Sequence, residues 1–221
     1  MKNIPRIFIG ENIKPGIQIP VSKDISHYLS RVMRTDTCLV FGDGNEYCAR
    51  LADDKKSLIV GNKTEHNDPT NNITLMFAPI KRTDDLINMA TQMGVRAFLP
   101  VITERTNANH INWERMKKIA IEAAEQSNRN TVPEIYTPIK FTDLDLKNTV
   151  FADERAAHGH NVAHGAGEIK SILIGPEGGF SDSEFKALDN AGAVGISLGK
   201  TILRAELAAA IAIAKVVQHG N

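Results

Sequence analysis

A change of pattern at residues 62–72, NKTEHNDPTNN, constrains this chain more than any other feature. Before it lie short apolar runs, IFI, IQIPV, TCLVF, EYCARL and SLIVG, separated by Gly, Pro, Asn and Asp. Runs of that length and spacing predict a small barrel or sandwich. After it, apolar strands alternate with amphipathic helices, which predicts a mostly parallel sheet with helices on both faces. The polar, proline-bearing segment between them predicts a linker, with one domain at 1–68 and a second at 72–221.

In the first part, TCLVF-GDGN-EYCARL predicts a hairpin. Asp43-Gly44 suits a type I′ turn, because both central positions need positive φ. That turn places Cys38 opposite Ala49 and Leu39 opposite Cys48, so the two cysteines face opposite ways and form no disulfide. KDISHYLSRVMR, at about 23–34, predicts a helix. In the second part the strands are ITLMFAPI, VRAFLPVI, TVFAD, KSILI and AVGISL. Thr83 and Asn112 are expected to cap two helices, and Ser181 with Glu184 to form a capping box. ILRAELAAAIAIAKVVQ predicts a closing helix.

Charge removes one class of partner-binding mode. The 221 residues carry 26 Lys+Arg and 26 Asp+Glu. The balance also holds locally: 10 basic and 9 acidic residues over 1–70, 8 and 7 over 71–135, 8 and 10 over 136–221. Any nucleic-acid site must therefore be a local patch. Two cysteines do not staple a secreted scaffold, and the N-terminal MKNIPRIFIGENIKPG is too broken for a signal peptide. No run approaches the ~20 apolar residues of a membrane span. A cytoplasmic protein with no membrane partner is expected.

Three segments carry chemistry. SILI-GPEGGF-SDSEF is a buried strand, a glycine-rich loop and a helix start. Such loops let a ligand approach the backbone at strand C-terminal ends, though a plain turn needs glycine too. GISLGKTILRAE nearly matches a phosphate-binding loop, but Gly195 and Gly199 enclose three residues, and Val194 stands where the first glycine belongs. A nucleotide hydrolase would need Mg²⁺ and is the weaker reading. His158, His160 and His164 have a spacing that could ligate a metal, but the loop itself supplies no Cys, Asp or Glu to complete a set; no metal is expected. Arg6, Arg31, Arg34, Lys81, Arg82, Arg105 and Arg129 lie near loop ends, where each is a solvated charge or a phosphate contact.

PRIF, HYLSRVMR, VFGDGNEY, the strand ending in Lys81, GVRAFLPVITERT, EAAEQSNR, LIGPEGGFS and LGKTILRAE form a set. Together they resemble the 16S ribosomal RNA uridine-N3 methyltransferases (RsmE type), a branch of the SPOUT superfamily. The resemblance spans nearly the whole chain, and the last two segments are the most specific.

The resemblance implies a PUA-like β-barrel that holds RNA, followed by a trefoil-knotted α/β domain that binds S-adenosylmethionine and forms a homodimer. It assigns the cofactor to Gly175, Pro176, Glu177, Gly178 and Gly179, and to Leu198, Gly199, Ile202, Leu203 and Arg204. The partner it implies is 16S rRNA in the small ribosomal subunit, for which Arg6, Arg31, Arg34, Lys81, Arg105 and Arg129 are the contact candidates. Uracil N3 must lose a proton before it can attack a methyl group, and the uracil carbonyls gather charge as it does. A forked guanidinium suits them, so Arg204 is the first catalytic candidate and Arg129 the second; Glu206 is a base, or simply an acid in the first turn of a helix. The chain departs from the family at Thr201, where Arg is common, at Leu207, where Thr is common, and at Gln92-Met93-Gly94 in place of Glu-Leu-Gly. Thr201 leaves open a non-catalytic RNA-binding assembly factor of the same fold.

Overall fold

A computed structural model of the chain describes residues 4–10, 12–42, 44–68, 70–107, 111–155 and 169–218. Two compact units result, one made of 1–69 with 121–132, the other of 70–120 with 133–221. The first unit therefore takes in a helix end from far along the chain as well as the N-terminal segment.

In the first unit β1 (Arg6–Phe8) and β2 (Gln18–Pro20) precede α1 (Lys23–His27), which runs into a π-helical turn, Tyr28–Met33. β3 (Thr37–Phe41), β4 (Glu46–Leu51) and β5 (Ser57–Lys63) follow. The sheet order is β1-β3-β4-β5-β2, a curled half-barrel. β3 and β4 pair in the expected register, Cys38 opposite Ala49 and Leu39 opposite Cys48. Gly44 has φ +83°, as the turn requires; Asp43 lies outside the described residues. Alternation sends Cys38, Val40, Tyr47, Ala49, Leu51, Leu58 and Val60 into one core with Leu29. Burial pushes the Cys38 thiol up to about 12, so it acts as a small apolar filler.

Residues 121–132 join this unit through buried polar groups. The Arg6 guanidinium donates to Glu46 Oε2 at 2.8 Å, to the Ala124 and Arg129 carbonyls at 3.1 and 3.0 Å, and to Asn130 Oδ1 at 2.8 Å. It also stacks 4.4 Å from the Phe41 ring centroid. Arg129 lies 3.9 Å from Asp68, its side chain 2% exposed. Burial lowers its pKa, and Asp68 opposes the shift. Two RNA-contact expectations are corrected here. Arg6 is an internal brace whose donors end on protein groups, and Arg129 is buried beside Asp68 with its Nη2 donating to Thr131 Oγ1 at 3.1 Å, so neither is presented to a phosphate or a uracil carbonyl.

The second unit begins with β6 (Thr74–Phe77), α2 (Thr83–Gln92) and β7 (Ala97–Ile102). It continues through α3 (Trp113–Gln126), whose C-terminal half belongs to the first unit, to β8 (Glu134–Ile135), β9 (Ile139–Lys140) and β10 (Thr149–Ala152). β11 (Ser171–Ile174), α4 (Asp182–Asn190), β12 (Val194–Ile196) and α5 (Ala205–Gln218) complete it. The sheet order is β12-β10-β11-β6-β7-β8, with β9 also on β7, and every pairing is parallel. A parallel sheet covered on both faces buries whole strands, as in the run Ser171–Ile174.

Local rules place the helix ends. Asn112 Oδ1 accepts from Arg115 N at 3.0 Å, and Ser181 with Glu184 forms the full capping box. Thr83 is the first residue of α2 and not its cap: its hydroxyl turns back to the Ile80 carbonyl at 2.8 Å. α5 starts at Ala205, three residues later than the apolar pattern suggests, which leaves Ile202, Leu203 and Arg204 in the loop after β12. Among the described residues no helix is long and apolar enough to cross a membrane.

Candidate active site

All parallel strands of the second unit point their C-terminal ends the same way, and ligands of such sheets bind there. The segments after β6, β10, β11 and β12 enclose a cavity of about 420 Å³. That volume lies in the range of small-molecule sites. The loop after β11 contributes Gly175, Pro176, Glu177, Gly179 and Phe180. The loop after β12 contributes Leu198, Gly199, Thr201, Ile202, Leu203 and Arg204, and α5 adds Glu206. The two glycine-bearing segments singled out from the sequence thus meet in one place, on strands separated by β10.

Two glycines are required by geometry. Gly179 has φ +69°, and a Cβ there would lie 2.0 Å from a carboxylate oxygen of Glu154. Gly199 has φ +130°, while a Cβ there would meet nothing within 4 Å. It is glycine for its backbone conformation, and the space its missing side chain leaves lies beside the cavity. Gly178 differs. It does not line the cavity, and a Cβ there would sit 3.6 Å from Arg105, an ordinary contact. Its expected direct role toward a cofactor is corrected to a place on the outer side of the loop.

The charged groups fall into two sets. Arg204 lines the cavity, is exposed, and makes no ion pair among the described residues. Glu206 lies 3.7 Å from Arg82, its side chain 12% exposed. The backbone N–H of Lys81 donates to Glu177 at 3.0 Å, which ties the segment after β6 to the glycine loop. Arg105 donates to the carbonyls of Gly178 and Phe180 at 2.9 and 3.2 Å, so it braces that loop from outside while its side chain stays partly in solvent. Arg129, the second catalytic candidate, does not line the cavity.

Asp153 and Glu154, directly after β10, line the cavity and were not singled out as site residues from the sequence. Their signal was their place at the end of TVFA, at the sheet edge where ligands bind. Asp153 is buried and held by Arg155, whose Nη2 donates at 2.7 Å. Arg155 also pairs with Asp189 on α4 at 3.0 Å and lies 4.3 Å from the Phe185 ring centroid. Hydrogen bonding from Arg155 holds the Asp189 carboxyl below the ordinary carboxylate range. The cluster fixes the segment after β10 against α4.

The phosphate-loop reading of GISLGKT does not survive the geometry. Gly195 lies inside β12, paired with Phe151, and not in a loop. A phosphate-binding lysine opens its helix, but Lys200 is followed by four further loop residues before α5 begins at Ala205. His158, His160 and His164 lie outside the described residues.

A strand-end cavity built from two glycine loops of a parallel sheet defines a class, and sequence comparison agrees with it: the profile of a family described as an RNA methyltransferase domain matches residues 66–217. More closely, the ribosomal RNA small subunit methyltransferase E of Rickettsia conorii is 35% identical over 234 residues, covering 98% of this chain and 96% of that protein. The protein of the same name from Synechocystis is 32% identical over 212 residues, covering 86% of this chain and 69% of that one. The chain belongs to the ribosomal RNA small subunit methyltransferase E family. Among solved structures, the Neisseria gonorrhoeae member bound to S-adenosyl methionine superposes with a TM-score of 0.83 at 29% identity, covering 98% of each chain. A probable rRNA-methyltransferase from Porphyromonas gingivalis gives 0.81 at 26% identity, covering 97% of this chain and 98% of its own.

Proposed function

We propose that this protein uses S-adenosylmethionine to methylate N3 of a uridine in 16S rRNA of the small ribosomal subunit, in the cytoplasm. The observation that carries the reading is the meeting, in a single strand-end cavity, of two glycine loops and Arg204, which makes no ion pair among the described residues. Pro176, Leu198, Ile202 and Leu203 offer apolar wall for an adenine ring, and the space beside Gly199 admits a ligand close to the backbone. The cofactor when bound supplies an electrophilic methyl group on sulfur. The protein's share is positioning and electrostatics. Arg204 stabilises negative charge on the uracil carbonyls as N3 loses its proton, and Glu206 or a water takes that proton. N3 lies on the base-pairing edge, so the target uridine is unpaired or flipped out.

The same reading takes the first unit as PUA-like and RNA-holding, the second as trefoil-knotted, and the active protein as a homodimer. Calorimetric titration with S-adenosylmethionine tests the cofactor assignment. The parent binds without metal and does not bind ATP with Mg²⁺. Gly199→Val loses binding by forcing a side chain onto a φ of +130° beside the cavity. Gly178→Ala keeps it, because that position faces Arg105. Loss in Gly178→Ala with retention in Gly199→Val contradicts the site. Cofactor binding without turnover on ribosomal subunits favours the assembly-factor alternative that Thr201, at the cavity wall, raises.

A further inference from the structure

The first unit carries a concavity of its own, of about 250 Å³, lined by none of the residues that line the strand-end cavity. Antiparallel pairing sets Pro20 opposite Ser57, and Val21 N donates to the Lys56 carbonyl at 3.0 Å. The start of α1 is thereby held beside the 52–56 turn. α1 and its π-helical turn supply Ser22, Lys23, Ser26 and Arg31 to the walls, and the turn supplies Lys55 and Lys56. No carboxylate lines the cleft. Asp24 follows Lys23 in α1 but does not line the cleft; beside the turn, Asp53 pairs with Arg50 at 3.3 Å, and Asp54 accepts from the backbone N–H of Lys56 at 2.9 Å. All four cationic side chains are exposed, and none makes an ion pair among the described residues.

We infer that this cleft is a binding site for the phosphodiester backbone of RNA, with Lys23, Arg31, Lys55 and Lys56 as the phosphate contacts and the serine hydroxyls as donors beside them. In a chain of zero net charge, four unpaired cations gathered on one concavity are a local field that the composition does not produce by itself. The turn that carries Arg31 also exposes Tyr28 and Val32, 39% and 60%, which gives an unpaired base an apolar surface that inorganic phosphate has no use for. The cleft replaces Arg6 as the unit's contact set and extends Arg31, whereas Arg34 does not line it.

The inference rests on the reading of rRNA as substrate. Its test reads RNA binding and not methyl transfer, so an inactive protein that still binds RNA here separates the two. Fluorescence anisotropy of a labelled single-stranded RNA is followed over a salt series for the parent and for K23A/R31A/K55A/K56A. The expected result is weaker binding and a slope of log K against log salt reduced by about 0.7 for each phosphate no longer neutralised, so by about 3 for all four. An unchanged melting curve and unchanged S-adenosylmethionine affinity show that the variant is folded. Equal affinity and equal slope in parent and variant overturn the site. So does displacement of the RNA by inorganic phosphate at matched phosphate concentration, which marks a free-anion site, or by polyglutamate at matched charge, which marks an acidic protein partner.

Discussion

Arg6 shows how one residue's role turns on what surrounds it. An arginine in PRIF near the chain start has the look of a phosphate contact, yet here it is 7% exposed and its donors end on Glu46, two carbonyls and Asn130. Nothing in a linear sequence brings residue 6 beside residues 124–130, so this role was not legible. Arg6→Ala leaves the Glu46 carboxylate buried without its counter-charge, which costs about 3–5 kcal/mol in chemical denaturation. A loss below about 1 kcal/mol means the network is not what joins 121–132 to the first unit. Glu125 gives a pH test at the same place. Burial raises its pKa, while its hydrogen bond from Phe8 N at 3.0 Å and Arg6 pull the other way. A raised folded-state pKa stabilises below the unfolded value, and that contribution is lost as pH rises through the folded value. Glu125→Gln keeps an acceptor for Phe8 and removes the charge. Relative to this variant, the parent loses stability between the acid limb and neutral pH; a constant difference across that range contradicts the assignment.

At the scale of elements, much was readable. The β3–β4 register, the Asn112 cap and the Ser181–Glu184 capping box follow from local rules, because a turn or a cap is specified by residues two to four apart. The strands of the second unit were visible as continuous apolar runs. β8 and β9 were not, being two-residue pairings set by neighbours and not by their own pattern. The start of α5 was misplaced because Ile202 and Leu203 extend its apolar run, yet Ile202 is 70% exposed in the loop. That exposure belongs with the dimer proposal. α5 already buries Ala205, Ala208, Ala209, Ala212 and Ile213 within its own chain, and Leu207 on its outer side remains 45% exposed. Ile202 and Leu207 together mark the apolar surface a second copy would cover. Light scattering at micromolar concentration should give twice the 24.2 kDa chain mass, and Leu207→Glu should shift it toward the monomer. A monomeric parent removes the dimer from the account.

For the molecule as a whole, the division of labour is between a unit that presents cations and a unit that presents a strand-end cavity. The two glycine-bearing loops of the cavity were legible as glycine-rich punctuation after buried strands. That they share one cavity with Asp153 and Glu154 depends on β10 lying between β11 and β12, an order no periodicity encodes. The central claim is that this cavity directs a methyl group onto a uridine of the small-subunit RNA. The most direct measurement supplies methyl-labelled S-adenosylmethionine and small ribosomal subunits lacking the modification, then identifies the labelled nucleoside by mass spectrometry after digestion. The account predicts label in 3-methyluridine alone, abolished by Gly199→Val and sharply reduced by Arg204→Ala. Label in another nucleoside contradicts the chemistry assigned to the site, and no label from a protein that binds the cofactor contradicts catalysis altogether.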